Sequence, residues 1–320
     1  MSAGGAPADP RAGSARHALM VIAFGGPHKS EDVRPFLRHV LMGRPVPEER
    51  FESVVHHYEV LGGRSPITEH TERQARGLRE LLLGRGHAFD VRIGMRHWTP
   101  WLKDSLAGFA EAGFSEVLGL IMAAQETEAS LERYQAAVEA ARSELPNAPR
   151  VRYVTGWGLS EALIEAQACQ LARALARVPS EARKQLRVLF SAHSIPAPMA
   201  SGSPYVAQLE ETARRVAEKL DLSEYRLVYQ SRSGNPRDPW LTPDVLDALD
   251  EEAARGTRDV VVAPIGFVCD HVEVLYDLDI EAERKARALG LRLTRAATLG
   301  AHPSFLAALA DAVIAQLERP

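Results

Sequence analysis

The sequence has little cysteine: Cys169 and Cys269 are the only two in 320 residues. Two thiols are too few for a disulfide framework, a CxxC zinc site or a four-cysteine iron–sulfur cluster within one chain. Cysteine usage of this kind is typical of a reducing cytoplasm, which is the compartment that we expect. We therefore predict no iron–sulfur cluster and no other tightly bound cofactor.

Long apolar runs and concentrated positive charge are also missing. No apolar stretch reaches the roughly 18 residues that a membrane-spanning helix needs, and residues 1–16, which lack the apolar middle of a secretory signal, are predicted to be a disordered tail. The net charge is −4 and basic residues are scattered, so we expect no nucleic-acid partner. A chain of 320 residues with 46% hydrophobic and 25% charged residues suits one large globular unit or two domains.

Short apolar runs alternate with longer helical patterns along the chain. Several runs are continuously apolar, which is typical of parallel strands covered on both faces. The predicted strands are 18–24, 91–95, 116–123, 150–155, 187–192, 226–231, 259–267 and 291–297. The helical patterns between them lie at about 30–42, 48–61, 67–84, 101–112, 128–144, 159–178, 204–220, 242–255, 271–289 and 303–318. This alternation predicts parallel sheets with right-handed crossovers.

The sequence also indicates an internal repeat. A Pro-Trp-Leu sequence, a helical pattern, a glycine and an apolar strand occur in this order from Pro100 and again from Pro239. The prolines are 139 residues apart and the glycines, Gly113 and Gly256, are 143 apart, which implies four extra residues in the second copy. Any two strand–turn–helix units look somewhat alike, but the shared Pro-Trp-Leu favours duplication.

We therefore predict an α/β fold of two similar Rossmann-like halves, residues 17–157 and 158–320, each a parallel sheet flanked by helices. Ligands bind outside the carboxyl ends of the strands in such sheets, so two facing halves place those ends around one cleft. "VIAFGGP" in the first half parallels "LFSAHSIP" in the second. Phe24 is then the counterpart of His193.

His193 follows a predicted strand, where it can reach a ligand in the cleft. A neutral imidazole is both a base and a metal ligand, although a histidine in a turn can also simply bond to the backbone. The second half continues with "CDHVEVLYDLDIEAE", in which Glu273, Asp277 and Glu281 are spaced by four. The nearest basic residues along the sequence lie beyond this segment, so we expect its carboxylates to be uncompensated.

These three carboxylates form a slowly turning line on a helix. An α-helix turns about 100° per residue, so steps of four drift by about 40° each, and a π-type turn would straighten the line. Such turns are often found at functional sites. Oxygen ligands that run toward a histidine make a path for a hard or borderline divalent cation, or equally an exit for protons. A solvated acidic face is the structural alternative.

Other side chains near strand ends suit a planar ligand with carboxylates. Aromatic rings there are equally compatible with a core position, whereas arginine and hydroxyl groups bind carboxylates. The candidates are Phe24, Ser65, Arg96, Thr127, Arg232 and Trp240. The turns "FGGP" and "LGGRSP" allow close backbone approach. Neither turn matches the dinucleotide or P-loop pattern, which argues against a nucleotide cofactor.

Together these motifs resemble the ferrochelatases, lyases that insert Fe²⁺ into a porphyrin in haem biosynthesis. The resemblance extends over residues 17–320 and is carried by "AFGGP", "YEVLGGRSPIT", "SAHSIP", "PYVAQLEETARRVAEKL", "YQSRSGNPRDPWLTPDV" and "IGFVCDHVEVLYDLDIEAE". It implies two Rossmann-like halves around a porphyrin cleft, with porphyrin and Fe²⁺ as substrates. It also implies transient contact with neighbouring enzymes of the haem pathway.

The resemblance assigns roles to individual residues. It implies that the metal-binding histidine is His193 and that its partner is Glu273, with Asp277 and Glu281 on an outer path for metal or protons. Ser65 matches a cleft serine near the porphyrin. Some relatives have a tyrosine where this chain has Phe24, and a phenyl ring can only pack on the macrocycle.

The substrate and the reaction have alternatives. The motifs are most similar to the bacterial branch that metallates coproporphyrin III, with protoporphyrin IX as the other porphyrin. Coproporphyrin has four propionates against two, for which Arg96 and Arg232 are candidate partners. A cobalt or nickel chelatase of another tetrapyrrole usually has two metal-binding histidines where this chain has His193 and Glu273. A non-catalytic haem or porphyrin carrier needs no acidic line.

Overall fold

Two parallel sheets form the framework of the protein. The computed structural model describes residues 17–127, 129–183, 185–233 and 238–318, so the predicted tail, residues 1–16, lies outside the described residues. The strands are β1 (His17–Ala23), β2 (Phe89–Met95), β3 (Glu116–Ile121), β4 (Arg150–Tyr153), β5 (Arg187–His193), β6 (Tyr225–Gln230), β7 (Asp259–Ala263) and β8 (Arg292–Arg295). One sheet has the order β2-β1-β3-β4 and the other β6-β5-β7-β8. The identical topology confirms the predicted fold class, and all eight predicted strands are present.

Helices cover both faces of these sheets. They are α1 (Ser30–Leu41), α2 (Glu48–Val60), α3 (Ile67–Gly84), α4 (Leu102–Glu111), α5 (Glu132–Ser143), α6 (Glu161–Leu175), α7 (Ala197–Ser201), α8 (Tyr205–Lys219), α9 (Val245–Ala254), α10 (Val272–Tyr276), a π-helix (Asp277–Ala282), α11 (Glu283–Ala288) and α12 (Pro303–Leu317). The short helix α7 was not predicted. The long helix predicted at 271–289 is three consecutive segments, α10, the π-helix and α11.

The two halves have the same order of strands, but their equivalent prolines are not those of the Pro-Trp-Leu match. Helices α4 and α9, like strands β3 and β7, begin 143 residues apart. The N–H of Met95 donates to the carbonyl oxygen of Pro100 at 2.8 Å, and that of Tyr229 donates to Pro243 at 2.9 Å. Pro243, and not Pro239, is therefore the counterpart of Pro100, and no extra residues are needed.

The strand register confirms the predicted equivalence at the cleft. Val21 on β1 pairs with the fifth residue of β3, and Phe190 on β5 pairs with the fifth residue of β7. Phe24 and His193 each lie three residues further along. They therefore occupy the same position, at the carboxyl end of the central strand pair, in the two sheets.

The last helix joins the two halves. Phe305 and Leu309 on α12 are buried in one apolar cluster with Leu19 on β1 and Leu78 on α3. A second link is Gln74, whose side-chain Nε2 donates to carbonyl oxygens of the second half at 3.0 and 3.2 Å. The predicted division at residue 157 stays a prediction, and α12 packs across it.

Helices α1 and α2 form a hairpin that covers the beginning of the acidic segment. Phe36 and Tyr58 from this hairpin pack against Val272 and Tyr276 on α10 in a separate apolar cluster. The hairpin belongs to the first half and α10 to the second, so this contact joins the two halves next to Glu273.

The two glycine-rich turns touch each other, which explains their composition. A Cβ atom on Gly26 would lie 2.6 Å from the Cβ of Ser65, much closer than real Cβ contacts. The N–H of Ser65 donates to the carbonyl oxygen of Pro27 at 2.9 Å. Gly25 has φ +87°, a conformation that favours glycine. Among the helices of the described residues, none has the length and apolar character needed to cross a membrane.

Candidate active site

His193 and Glu273 lie together at the carboxyl edge of the second sheet. His193 ends β5 and Glu273 lies in the first turn of α10. His193 Nε2 is 3.6 Å from Glu273 Oε1, and the two side chains are 30% and 44% exposed, so a ligand in the cleft can reach them. Nδ1 of His193 is bonded to the carbonyl oxygen of Ser194 and must carry the proton there. In the neutral imidazole, Nε2 is therefore the free base and the free metal ligand.

The electrostatics of this pair favour a proton on the imidazole. Burial lowers the pKa of His193, but the charge and hydrogen bond of Glu273 oppose burial, and the net pKa lies above its ordinary value. Burial raises the pKa of Glu273, whereas His193 and then His271 and His57 lower it, to about 2. Glu273 is thus a permanent carboxylate that stabilises an imidazolium next to it.

The structure adds two histidines that the sequence analysis missed. His271 caps α10 by accepting the Glu273 N–H at 3.3 Å, and its Nδ1 lies 4.0 Å from Glu273 Oε2. His57, from α2, stacks on Tyr276 with ring centroids 3.7 Å apart. His271 could have been found from its place two residues before Glu273. His57 is more than 200 residues away in the sequence, and no local pattern marked it.

Asp277 is the most buried carboxylate of the predicted line. Its exposed fraction is 8%, and it begins the π-helix, which is the type of turn that straightens a line of acids spaced by four. The Ser231 hydroxyl donates to its carboxylate, and Gln230 Nε2 donates to the same oxygen at 3.5 Å. Burial raises the pKa of Asp277 to about 7: the Ser231 bond opposes this, and the charge of Glu273 adds to it. This carboxyl group therefore gains and loses a proton near neutral pH.

Glu281 lies at the outer, exposed end of the line. Partial desolvation and the negative charge of Asp244 raise its pKa, and its own charge acts on Asp277. The three predicted acids thus run from the pair with His193 to the protein surface. Within the described residues, no group of three or more His, Cys, Asp or Glu is arranged to hold a metal ion.

The remaining acids of the segment are compensated, contrary to the expectation from the sequence. Arg295, at the end of β8, binds both Asp279 and Asp270, with the shortest nitrogen–oxygen distances 2.6 and 3.2 Å. Glu283 pairs with Arg287 at 2.7 Å. The error arose because Arg295 is distant in sequence and joins the segment only through the fold. Once Asp270, Asp279 and Glu283 are paired with arginines, the acids of the segment that remain for the proposed site are Glu273, Asp277 and Glu281.

On the first half, Phe24 and Arg96 follow the ends of β1 and β2. The Phe24 ring is 37% exposed, and it lies 4.4 Å from the ring of His97, measured between centroids. The Arg96 guanidinium lies 5.3 Å from the centre of the Tyr134 ring. Burial lowers the pKa of Arg96, as does the nearby charge of Arg133. The loops after β1 and β2 therefore present the flat apolar ring of Phe24 and the positive guanidinium of Arg96.

The other four candidates have different surroundings. Ser65, in the second glycine-rich turn, is buried against Gly26 of the first. The Thr127 hydroxyl accepts from the Ser130 N–H at 2.9 Å, so it is engaged in the loop before α5. Arg232 is exposed and donates to the carbonyl oxygen of Asp238 at 3.0 Å.

Trp240 lies beside the loop that follows His193. Its backbone forms an antiparallel bridge with Pro196, and the N–H of the next residue, Leu241, donates to the carbonyl oxygen of Ile195 at 3.0 Å. The Trp240 indole nitrogen is buried without a hydrogen-bond partner among the described residues. This loop is thus tied to the strand end that carries His193.

Comparisons with known proteins identify the family of the chain. The family described as Ferrochelatase matches residues 16–317. The chain is 39% identical to a coproporphyrin III ferrochelatase of Streptomyces coelicolor, over 93% of this chain and 84% of that protein. It is 36% identical to a ferrochelatase of Herpetosiphon aurantiacus, over 95% of this chain and all of that protein.

A solved structure shares the fold. The sirohydrochlorin chelatase SirB of Bacillus subtilis, in complex with cobalt, has a TM-score of 0.56 over 96% of this chain and 97% of that one. At 12% identity it supports the architecture alone. The family match and the identity to curated relatives show that the chain belongs to the ferrochelatase family, the metal chelatases of the lyase class that insert Fe²⁺ into porphyrins in haem biosynthesis.

Proposed function

We propose that this protein inserts Fe²⁺ into coproporphyrin III, and that His193 and Glu273 are the residues that carry out the insertion. The observation that carries the proposal is the pair itself: Nε2 of His193 lies 3.6 Å from Glu273 at an open strand end. The preference for coproporphyrin III rests on the similarity to the Streptomyces coelicolor enzyme, whose name states that substrate.

Insertion poses three chemical requirements. A free-base porphyrin is flat and has two inner N–H groups, so the ring must bend, two protons must leave and Fe²⁺ must lose water. The overall step converts porphyrin and Fe²⁺ into iron porphyrin and two protons. A cleft between the two sheets, whose halves are joined by the contact of the α1–α2 hairpin with α10, can hold a bent ring by contacts remote from the nitrogens.

The residues of the site match the proton and metal requirements. His193 Nε2 accepts a pyrrole proton or binds Fe²⁺, and Glu273 stabilises the resulting positive charge. Asp277, with its pKa near 7, accepts a proton and releases it toward Glu281 and the surface. Imidazole nitrogen and carboxylate oxygen are suitable donors for a borderline cation such as Fe²⁺.

Phe24 and the arginines form the proposed porphyrin-binding side. Phe24 packs on the macrocycle opposite His193, because the two occupy equivalent positions in the two sheets. Arg96 and Arg232 bind propionates, and Ser65, Thr127 and Trp240 complete the wall. Guanidinium groups bind carboxylates with charge-assisted hydrogen bonds, which a four-propionate substrate uses more fully than a two-propionate one.

The test compares the two porphyrins. Wild-type protein is mixed with Fe²⁺ and either coproporphyrin III or protoporphyrin IX without oxygen, and the Soret and Q bands are followed. We expect the higher kcat/KM with coproporphyrin III. Arg96→Ala should lower it by about 10- to 100-fold, the loss expected for one charge-assisted bond. Arg85→Ala, which removes an arginine paired with Asp311, is the control.

Two results would count against this function. An equal or higher kcat/KM for protoporphyrin IX would refute the substrate. A porphyrin that binds while its Q bands stay unchanged after Fe²⁺ is added would instead indicate the carrier. Trials with Co²⁺ or Ni²⁺ in place of Fe²⁺ test the alternative metal.

We also propose that the protein acts in the cytoplasm, with Fe²⁺ as a substrate and no resident cofactor. Cys169 and Cys269 are free thiols, as a reducing compartment favours. Transient contact with the neighbouring haem-pathway enzymes is part of the same proposal, since both the porphyrin substrate and the iron porphyrin product are large planar molecules.

A further inference from the structure

Arg295, whose side chain is mostly buried, binds the acidic segment at two points. The Arg295 guanidinium donates to both Asp279 oxygens, at 2.6 and 3.0 Å, and to both Asp270 oxygens, at 3.2 and 3.4 Å. Its side chain is only 17% exposed. Thr298 adds a hydrogen bond to Asp270 at 2.9 Å. A planar guanidinium with two carboxylates fixes direction as well as distance.

The two carboxylates bracket the proposed catalytic residues. Asp270 lies just before α10, and Asp279 lies inside the π-helix. Glu273 and Asp277 lie between them. Arg295 therefore sets the spacing between the two ends of the segment from which the metal-path carboxylates project.

This contact depends on the π-helical register. A return to a regular α-helix would rotate Asp279 about the helix axis relative to Asp270. Asp279 would then leave Arg295, and the line from Asp277 to Glu281 would drift by about 40°. The two ion pairs thus favour the register that aligns Asp277 with Glu281.

The segment is also held by a second group. Gln230 on β6 donates from Nε2 to the backbone oxygen of Glu273 at 3.0 Å and to Asp277 at 3.5 Å. Its own Oε1 is buried without a partner among the described residues. An unsatisfied buried oxygen is costly, so its retention indicates a positional requirement. The junction of α10 and the π-helix is therefore fixed by Gln230 as well as by Arg295.

We propose that Arg295 is a positioning residue for metal insertion: by binding Asp270 and Asp279 together, it holds α10, which carries Glu273, against a π-helix whose register aligns Asp277 with Glu281. The proposal rests on the proposed function, in which these acids handle Fe²⁺. The Arg295 guanidinium bonds to Asp270, Asp279 and the carbonyl oxygen of Ala296, and none of these is a proposed porphyrin-binding residue. Its effect is therefore confined to the metal side of the reaction and leaves porphyrin binding alone.

The experiment measures KM for Fe²⁺ and for the porphyrin separately in the full-length protein, without oxygen. Arg295→Lys keeps the charge but loses the planar, two-carboxylate geometry. We expect KM for Fe²⁺ to rise roughly tenfold, as for other groups that orient metal-binding residues, while KM for the porphyrin changes less than about twofold. Asp279→Asn should give the same pattern, and the double variant should be no worse than either single one.

The matched control is Arg292→Lys. Arg292 lies on the same strand and pairs with Asp259 through two of its nitrogens, but its side chain is 64% exposed and Asp259 lies outside the π-helix. It should behave as wild type. Wild-type KM for Fe²⁺ in both Arg295→Lys and Asp279→Asn would overturn the proposal. A lower melting temperature with no change in either KM would overturn it too, because Arg295 would then only hold the fold.

Asp277→Asn distinguishes a failure of the acidic metal path from a failure of the positioning role of Arg295. A raised KM for Fe²⁺ in Asp277→Asn, together with unchanged values in the Arg295 and Asp279 variants, would refute the positioning role alone. An unchanged KM for Fe²⁺ in Asp277→Asn would refute the acidic metal path, and the positioning role with it.

Discussion

Replacing Asp277 with asparagine should stabilise the folded protein at alkaline pH. The side chain is 8% exposed and lies near Glu273, so an ionised carboxylate is unfavourable there. Asparagine has nearly the same shape and still accepts the hydrogen bonds from Ser231 and Gln230. The substitution removes the buried charge without opening a cavity.

The size and sign of the effect follow from the pKa. The pKa rises from 3.8 to about 7 on folding, and at about 1.4 kcal/mol for each pH unit this corresponds to roughly 4 kcal/mol. Below pH 3.8 the group is protonated in both states and costs nothing. As the pH rises toward 7 the unfolded chain ionises first, so the wild type loses stability relative to the variant. The difference should be roughly 2 to 3 kcal/mol larger at pH 8 than at pH 5.

Chemical denaturation at pH 5.0, 6.5 and 8.0 in metal-free buffer measures this difference. We expect Asp277→Asn to gain stability over wild type as the pH rises, with equal m values. Asp311→Asn, at a side chain that is 64% exposed, is the control and should change stability by less than about 0.5 kcal/mol at each pH. A difference that does not vary with pH, or a less stable Asp277→Asn at pH 8, would refute the reasoning.

Two further substitutions test the packing, both by chemical denaturation. Gly26→Ala should lower the free energy of unfolding by about 1–3 kcal/mol, because the added Cβ would meet Ser65 at 2.6 Å. Gly84→Ala, in a helix with nothing within 4 Å, should cost nothing, and an equal loss in both would show that the turn contact is unimportant. Phe305→Ala should cost about 3–5 kcal/mol, because the ring is fully buried where α12 meets the first sheet; a loss below 1 kcal/mol would contradict this packing.

Periodicity predicted the elements of the fold well because long apolar runs and helical patterns are local signals. The errors arose where local signals conflict. Strand β7 ends at Ala263 rather than 267, since the apolar run continues past Pro264 into a turn. The sequence did not predict helix α7, because five residues that include Pro198 are too few to show a helical pattern. The Pro-Trp-Leu match was accidental: the equivalent prolines are identified by backbone bonding, which sequence identity does not record.

At the candidate site, position after a strand singled out His193, and spacing singled out Glu273 and Asp277. The structure brings His193 and Glu273 within 3.6 Å of each other, and their roles stay predictions. The sequence did not decide between an α-helix and a π-type turn. The pairing of Arg295 with Asp270 and Asp279 could not be predicted, since it depends on which strand end lies behind the helix. The same holds for the stacking of His57 on Tyr276, which requires the α1–α2 hairpin to fold onto the other half. Contacts between distant segments are consequences of topology, and a single sequence does not give them.

The central claim is that His193 and Glu273 together insert Fe²⁺ into the bound porphyrin. The most direct test is the initial rate of iron insertion without oxygen by wild type, His193→Ala and Glu273→Gln, with porphyrin binding measured in parallel by fluorescence. We predict that His193→Ala loses insertion, that Glu273→Gln is severely impaired and that both bind porphyrin with a Kd within about threefold of wild type. Insertion by His193→Ala at the wild-type rate would contradict the claim.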